Sequence, residues 1–320
     1  MKRHLCWLAL VLIFSGCTKN EKTADNNGTT PGGAGTGGTQ LGSGILYYSW
    51  ATEGELKIDL KTGVKGQFMQ YDTRRNGWDV SQDNTLVLES RDDPDDYDAE
   101  IYTIINIKDN TVVSKFKKNT GYANHTSPRL SYDKKLILAM PTDDDGIMVL
   151  DLQGNILFNL MSFQGQPLKG RVVWMPDNTL LFNQGNSLYR TNKEFTKATL
   201  VKTLNFADWG QFNVSPDGSK IALNGGNHLW MMNADGSNLT QITESNAIEV
   251  WPIFSPDSKY LLIGYDYTIT NQWGRYWHMA IIPADFNKYN LDKGADKRVI
   301  PIIAKGETTA EASDGVTIWR

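Results

Sequence analysis

The chain has 320 residues, 40% of them hydrophobic and 21% charged, with a formal net charge of −4. This is globular composition, and its mild acidity excludes the basic field that draws a protein onto nucleic acid. The cysteines are Cys6 and Cys17, so the chain beyond residue 17 has neither a disulfide nor a thiolate metal site available to it.

The first element is "MKRHLCWLALVLIFSGCTKN". Lys2 and Arg3 form a basic start, and Leu5–Phe14 is an apolar run too short to cross a bilayer comfortably. Ser15, Gly16 and Cys17 follow. This pattern predicts a signal peptide over 1–16 with cleavage before a cysteine. It resembles a bacterial lipoprotein signal, although Phe14 stands where the usual lipobox carries Leu. The resemblance implies that Cys17 is lipidated and that the protein is anchored in the cell envelope, at the periplasmic side of the outer membrane or at the cell surface.

Next comes "NNGTTPGGAGTGGTQLGSG" at 26–44, with eight Gly and one branched aliphatic residue, Leu41. Such a stretch buries too little apolar surface to offset its ordering entropy. It predicts a flexible tether from Cys17 through residue 44. Random-coil scaling gives 27 residues an end-to-end distance of roughly 25–30 Å.

Residues 45–320 are expected to form the folded body, and they repeat. "WDVSQDNTLVLES" begins at Trp78, "PRLSYDKKLILAM" at Pro128, "VVWMPDNTLLFNQ" at Val172, "FNVSPDGSKIALN" at Phe212 and "PIFSPDSKYLLIG" at Pro252. The starts lie 50, 44, 40 and 40 residues apart, a period that suits a four-stranded propeller blade. In each unit a short apolar strand meets an S-P-D-G turn or a relative of it. Pro presets φ, Asp bonds nearby backbone and Gly accepts a positive φ. In the unit at 212–243 a second strand (Lys220–Asn224), a third ("HLWMMN", 228–233) and a fourth ("LTQIT", 239–243) follow, with Asp235-Gly236 as a hairpin signal. No window keeps a 3.6-residue apolar period, so almost no helix is expected.

The fold class predicted is therefore all-β: a six-bladed β-propeller of four-stranded antiparallel blades. "ILYYSWATEGELKIDLKTGVKGQFMQ" at 45–70 aligns with "LILAMPTDDDGIMVLDLQGNILFNLM" at 136–161, so the first blade lacks its innermost strand. "DGVTIWR" at 314–320 resembles "NGWDVSQ" at 76–82, and Val316–Trp319 is expected to close the ring there. A monomer is expected.

The turn Ser215–Gly218, with Leu229–Trp230 and Asp235–Gly236, and again Ser255–Asp257, resembles the TolB-like β-propeller family. Most of 45–320 shares the resemblance, which is weakest in the first blade. It implies the propeller fold and leaves activity open, because one scaffold carries many functions.

The between-blade loops and the loops within blades supply candidates for a ligand site. Arg74 and Arg75 share one loop, His125 lies in the next, Lys169 and Arg171 flank a third, and Asp208 and Trp209 follow. Trp273, Tyr276 and Trp277 are placed in a long late loop, 267–277, beside Arg275. Aromatics beside Arg and amides suit sugar or protein recognition. Trp78 and Trp251 recur at strand starts, which suits packing between blades. The basic loops predict an anionic ligand group at the mouth, such as a peptide carboxylate or a uronic sugar, held by Arg.

Catalytic signals are thin. His228 and His278 read as strand residues, there is no G-x-S-x-G elbow, and no domain is expected after the propeller to host a Ser-His-Asp triad. "RDDPDDYDAE" at 91–100 and "TDDDG" at 142–146 are acidic but lack the alternating calcium-loop pattern, so they read as solvated hairpin tips. No catalytic residue, metal or cofactor is predicted. The reading is a non-catalytic binding or scaffolding module for an envelope protein or glycan. The alternative is a polysaccharide-acting, lyase-like enzyme, which would need several His and carboxylates converging at the same mouth.

Overall fold

The computed structural model describes residues 43–120, 125–141, 146–271 and 274–320. The signal peptide, Cys17, the tether as far as residue 42, Trp273 and most of "TDDDG" lie outside the described residues.

Six four-stranded antiparallel sheets follow one another along the chain. Blade 2 runs from the inner strand Arg75–Val80 through Leu86–Asp93 and Asp96–Asn106 to Val112–Asn119. Blade 3 has Thr126–Leu130, Leu136–Pro141, Ile147–Asp151 and Ile156–Leu160. Blade 4 has Val172–Trp174, Leu180–Gln184, Ser187–Thr191 and Ala198–Thr203. Blade 5 has Trp209–Val214, Lys220–Gly225, His228–Asn233 and Thr240–Gln241. Blade 6 has Val250–Phe254, Tyr260–Ile269, Arg275–Pro283 and Ile300–Pro301, with Ala312–Ser313 on the same third strand. A single 3-10 turn, Ala51–Glu53, is the helical content among the described residues.

Blade 1 combines Ile45–Trp50, Gly54–Asp59 and Val64–Met69 with the C-terminal strand Thr317–Trp319 as its innermost member. Leu46 faces Trp319 and Tyr48 faces Thr317, so the two ends of the propeller share one sheet. The register is one residue away from the sequence alignment: Trp319 pairs Leu46 just as Val80 pairs Val87, so Ile318 takes the place of Asp79.

The repeated turn works as its residues dictate. Ser81, Ser131, Ser215 and Ser255 each donate to the Asp two residues on, at 2.6–2.7 Å. Each serine oxygen also accepts the N–H five residues on, at 2.9 Å. The fourth turn position has positive φ in every case: Asn84, Lys134, Asn178, Gly218 and Ser258 lie between 59° and 72°. Glycine occurs in one of these five turns, so the turn tolerates a left-handed side-chain residue where the serine clamp holds it.

Buried residues fall into six apolar clusters among the described residues, and each bridges two neighbouring blades. Leu46, Leu56 and Trp319 of blade 1 pack with Trp277 and Met279 of blade 6. Tyr47 and Ile318 of blade 1 pack with Trp78 and Val80 of blade 2. Because each sheet is covered on both faces by its neighbours, stability depends on the ring being complete.

Two expectations need correction. The predicted fourth strand of blade 5 is only Thr240–Gln241; Thr243–Glu244 leaves the blade and pairs in parallel with Tyr289–Asn290. The cause is Thr243, which is fully buried and bonded through its hydroxyl to Leu229 N–H and Glu249. Secondly, Tyr276 and Trp277 belong to the third strand of blade 6, since Thr268 pairs Tyr276 across the sheet.

Candidate functional site

Side chains from all six inner strands meet at a cavity of about 530 Å³ on the ring axis. One repeat position supplies a complete tier: Ile318, Asp79, Arg129, Val173, Asn213 and Ile253 all line it. Two positions earlier in the repeat come Val316, Ser127, Arg171 and Trp251, a second tier nearer the between-blade loops. The spacing of two follows from strand geometry, which turns alternate residues the same way.

Cations outnumber carboxylates among the described residues of this lining. Arg129, Lys169, Arg171, Arg275 and Arg320 face Asp79 and Asp314. Asp79 is spoken for, because it accepts Leu130 N–H at 2.8 Å and Arg320 Nη2 at 3.2 Å. Asp314 accepts Ala51 N–H at 2.8 Å, and burial raises its pKa above the ordinary carboxylate value.

Arg129 and Arg171 have no carboxylate within ion-pair distance among the described residues. Arg129 donates through Nη1 to the Trp78 and Pro128 carbonyls at 2.9 and 2.8 Å. Arg171 donates through Nε to the Phe212 carbonyl at 3.2 Å, and its guanidinium lies 5.0 Å from the centre of the Trp251 ring. Arg171 stands on blade 4 and Trp251 on blade 6, so this contact passes in front of blade 5 and marks the axis itself. Burial, helped by repulsion from Arg129, pushes the Arg171 pKa down to about 10, and Arg129 is lowered by burial too. Both stay charged at neutral pH. Among the described residues the terminal nitrogens of Arg171 have no hydrogen-bond partner, and Arg171 lines the cavity.

The backbone around this pair is shaped to hold it. Trp251 has φ of 52° within a bulge between Val250 and Ile253, and Gln211 has φ of 44° in the matching bulge of blade 5. Left-handed backbone at a non-glycine residue costs about 1–3 kcal/mol and bulges re-aim side chains. The Gln211 side chain accepts Trp251 N–H at 3.0 Å, which fixes the second bulge to the first.

The sequence candidates divide. Lys169 and Arg171 line the cavity, and Tyr276 is next to the lining residue Arg275 while its own ring meets Trp50 and His278. Arg75 is nearly buried between blades 1 and 2, 3.5 Å from Glu55 and 3.1 Å from Glu89. Arg74 is exposed beside Asp72. His125 sits 3.2 Å from Asp92, at a small acidic recess that includes Glu100. Asp208 is exposed, and Trp209 packs toward Phe212 with its indole N–H on Asn186. The other described histidines also stand apart from the axis: His228 bonds buried Glu249 and His278 lies near Asp266. Arg129 and Trp251 were missed as site residues. The repeat alignment carries their signal, since each occupies a position that recurs in every inner strand.

The structural comparison follows from this ring. A TolB from Acinetobacter baumannii superposes with a TM-score of 0.58 at 14% identity, over 86% of this chain and 66% of that one. The chain folds as a TolB-like six-bladed β-propeller. A putative TolB from Agrobacterium tumefaciens gives 0.50 at 16% identity, over 77% of this chain and 86% of that one. A functionally unknown protein from Desulfotomaculum acetoxidans gives 0.51 at 11% identity, over 85% and 86%. No protein-family profile and no curated protein matches the sequence. Among the described residues no helix is long and apolar enough to cross a membrane.

Proposed function

We propose that this chain is an envelope lipoprotein whose propeller binds, without catalysis, an anionic group of a protein or glycan ligand in its axial cavity. One observation carries the reading: Arg129 and Arg171 are held in the cavity wall with no carboxylate within ion-pair distance among the described residues. Burying a charge without an ion-pair partner is costly, and Arg129 feels Asp79 only at longer range while Arg171 is further disfavoured by Arg129. An incoming anion supplies the missing partner, and exclusion of water strengthens the contact. The lyase-like alternative calls for converging histidines, whereas the described lining holds Asp79, Asp314 and no histidine.

The test is a comparative pull-down from bacterial envelope extract with the full chain and with an Arg129→Met, Arg171→Met double variant. The reading expects an anionic species that is captured by the first and lost by the second. Identical captures from both would refute it. Anchoring is tested separately: Cys17→Ser should move the protein from the membrane fraction to the soluble periplasmic one, because tether and propeller offer no other lipid affinity.

A further inference from the structure

The inner strand of every blade is a sheet edge, and an exposed edge invites a peptide to add as a further strand. Here the edges of blades 2, 3, 5 and 6 each already hold at least one contact from a neighbouring blade. Arg320 of blade 1 takes the Val80 carbonyl of blade 2, and Asp79 of blade 2 takes Leu130 N–H of blade 3. Trp174 of blade 4 takes the Arg129 carbonyl, and Arg171 takes the Phe212 carbonyl of blade 5. Gln211 of blade 5 takes Trp251 N–H of blade 6. Main-chain groups facing the cavity are thus partly taken up, which favours a ligand read through side chains over an extended peptide added as a strand.

The remaining side chains describe a compact amphipathic ligand. The Ser127 hydroxyl, the Gln82 amide and the amide nitrogen of Asn213 have no hydrogen-bond partner among the described residues and line the cavity. Pro252, Ile253 and Val214 supply apolar wall between them. A volume of about 530 Å³ is enough for a few sugar rings and too small for a folded partner element. A pyranose has hydroxyls on its rim and C–H groups on its faces, and a uronate adds one carboxylate for a guanidinium fork.

Resting on the anion-binding reading, we infer that the axial cavity binds an acidic sugar, a short uronate-bearing oligosaccharide, with its carboxylate between Arg171 and Arg129. Arg275 lines the cavity on the side of the between-blade loops, so the charged ligand is drawn in from that mouth.

The experiment titrates the full chain with trigalacturonate, with its methyl ester, and with an acidic tripeptide, following heat and Trp fluorescence. The inference expects one-to-one binding of trigalacturonate, at least tenfold weaker binding of the ester, and no comparable binding of the peptide. Arg171→Met should weaken trigalacturonate at least tenfold while the variant's circular dichroism stays native. Ser127→Val should weaken it severalfold, which a site that reads charge alone would not show. Binding of the peptide but not of trigalacturonate overturns the sugar inference and leaves the anion-binding reading standing. Equal binding of acid and ester, or no binding of any anion, overturns both.

Discussion

Replacing Arg171 by Met should change the stability of the unliganded protein little in either direction. The pKa of Arg171 lies at about 10 against an ordinary 12.5, chiefly because burial disfavours the charged form and secondly because Arg129 repels it. A cation with a lowered folded-state pKa destabilises the fold at every pH below that value, and the cost fades as the pH rises through about 10. The full shift corresponds to roughly 3 kcal/mol as a ceiling, and water in the cavity screens it to about 1–2 kcal/mol. Against this stand the bond to the Phe212 carbonyl, about 0.5–1.5 kcal/mol, and the contact with Trp251, about 0.5–1 kcal/mol. Met retains an apolar stem and a polarizable sulfur against the indole, so little packing is lost.

The terms nearly cancel, and the balance predicts a change between about −1.5 and +1 kcal/mol, a melting-temperature shift of no more than about 5 °C either way for a domain of this size. Guanidinium denaturation at pH 7, followed by far-ultraviolet circular dichroism, measures it. Arg75→Met is the control, because its guanidinium pairs Glu55 and Glu89 between blades with little solvent access. Removing it leaves Glu89 with Arg91 and Glu55 with the Ser49 hydroxyl in place of a buried ion pair, and should cost about 3 kcal/mol. If Arg171→Met instead destabilises by more than about 2 kcal/mol, Arg171 is a structural strut, and the argument that its unpaired charge is kept for a ligand fails.

Three more outcomes test the fold that positions the site. Deleting 314–320 removes the strand paired with Ile45–Trp50 together with Arg320, and should lower solubility and the melting temperature sharply; a truncated chain that melts like the full one would place ring closure elsewhere. Gly170→Ala drives a Cβ to 1.9 Å from the Asn183 carbonyl oxygen beside Arg171, so it should cost about 1–3 kcal/mol in thermal melts, and a neutral result would mean that the loop yields freely. Asp217→Asn should cost about 1 kcal/mol at pH 7 and much less near pH 3. Burial alone would raise the Asp217 pKa, but bonds from Ser215 and Ser219 outweigh it and hold it below 3.8. The stability it contributes is present above the ordinary carboxylate pKa and lost as pH falls through the folded value. Equal costs at both pH values would remove the charge from that account.

What the sequence reveals and what it hides divide along a physical line. Turn chemistry is local: the Ser-to-Asp clamp spans two residues and the positive φ one, so five turns announced six blades and the strand count between them. Ring closure was legible too, because a lone strand at one end matched a missing strand at the other. The site was harder, because loops near the mouth offer cations whose partners are set by tertiary packing. Arg75 and Arg171 both precede an inner strand by sequence, yet Glu89 on its own blade and Glu55 on the neighbouring one pair the first, while among the described residues the second meets a carbonyl and an indole and no carboxylate. Blade 4 carries Asn183, an amide whose oxygen takes Arg171 N–H at 2.7 Å, where blade 2 carries Glu89 or Ser90. The same reasoning explains Trp251, which looked like blade packing because its position recurs. A bulge at Trp251 and its tie to Gln211 bring the indole toward the axis, and no pattern of residue types records a bulge until the two strands are paired. The repeat register thus identifies which positions reach the axis, and only the pairing of charges around the ring identifies which of them are left for a ligand.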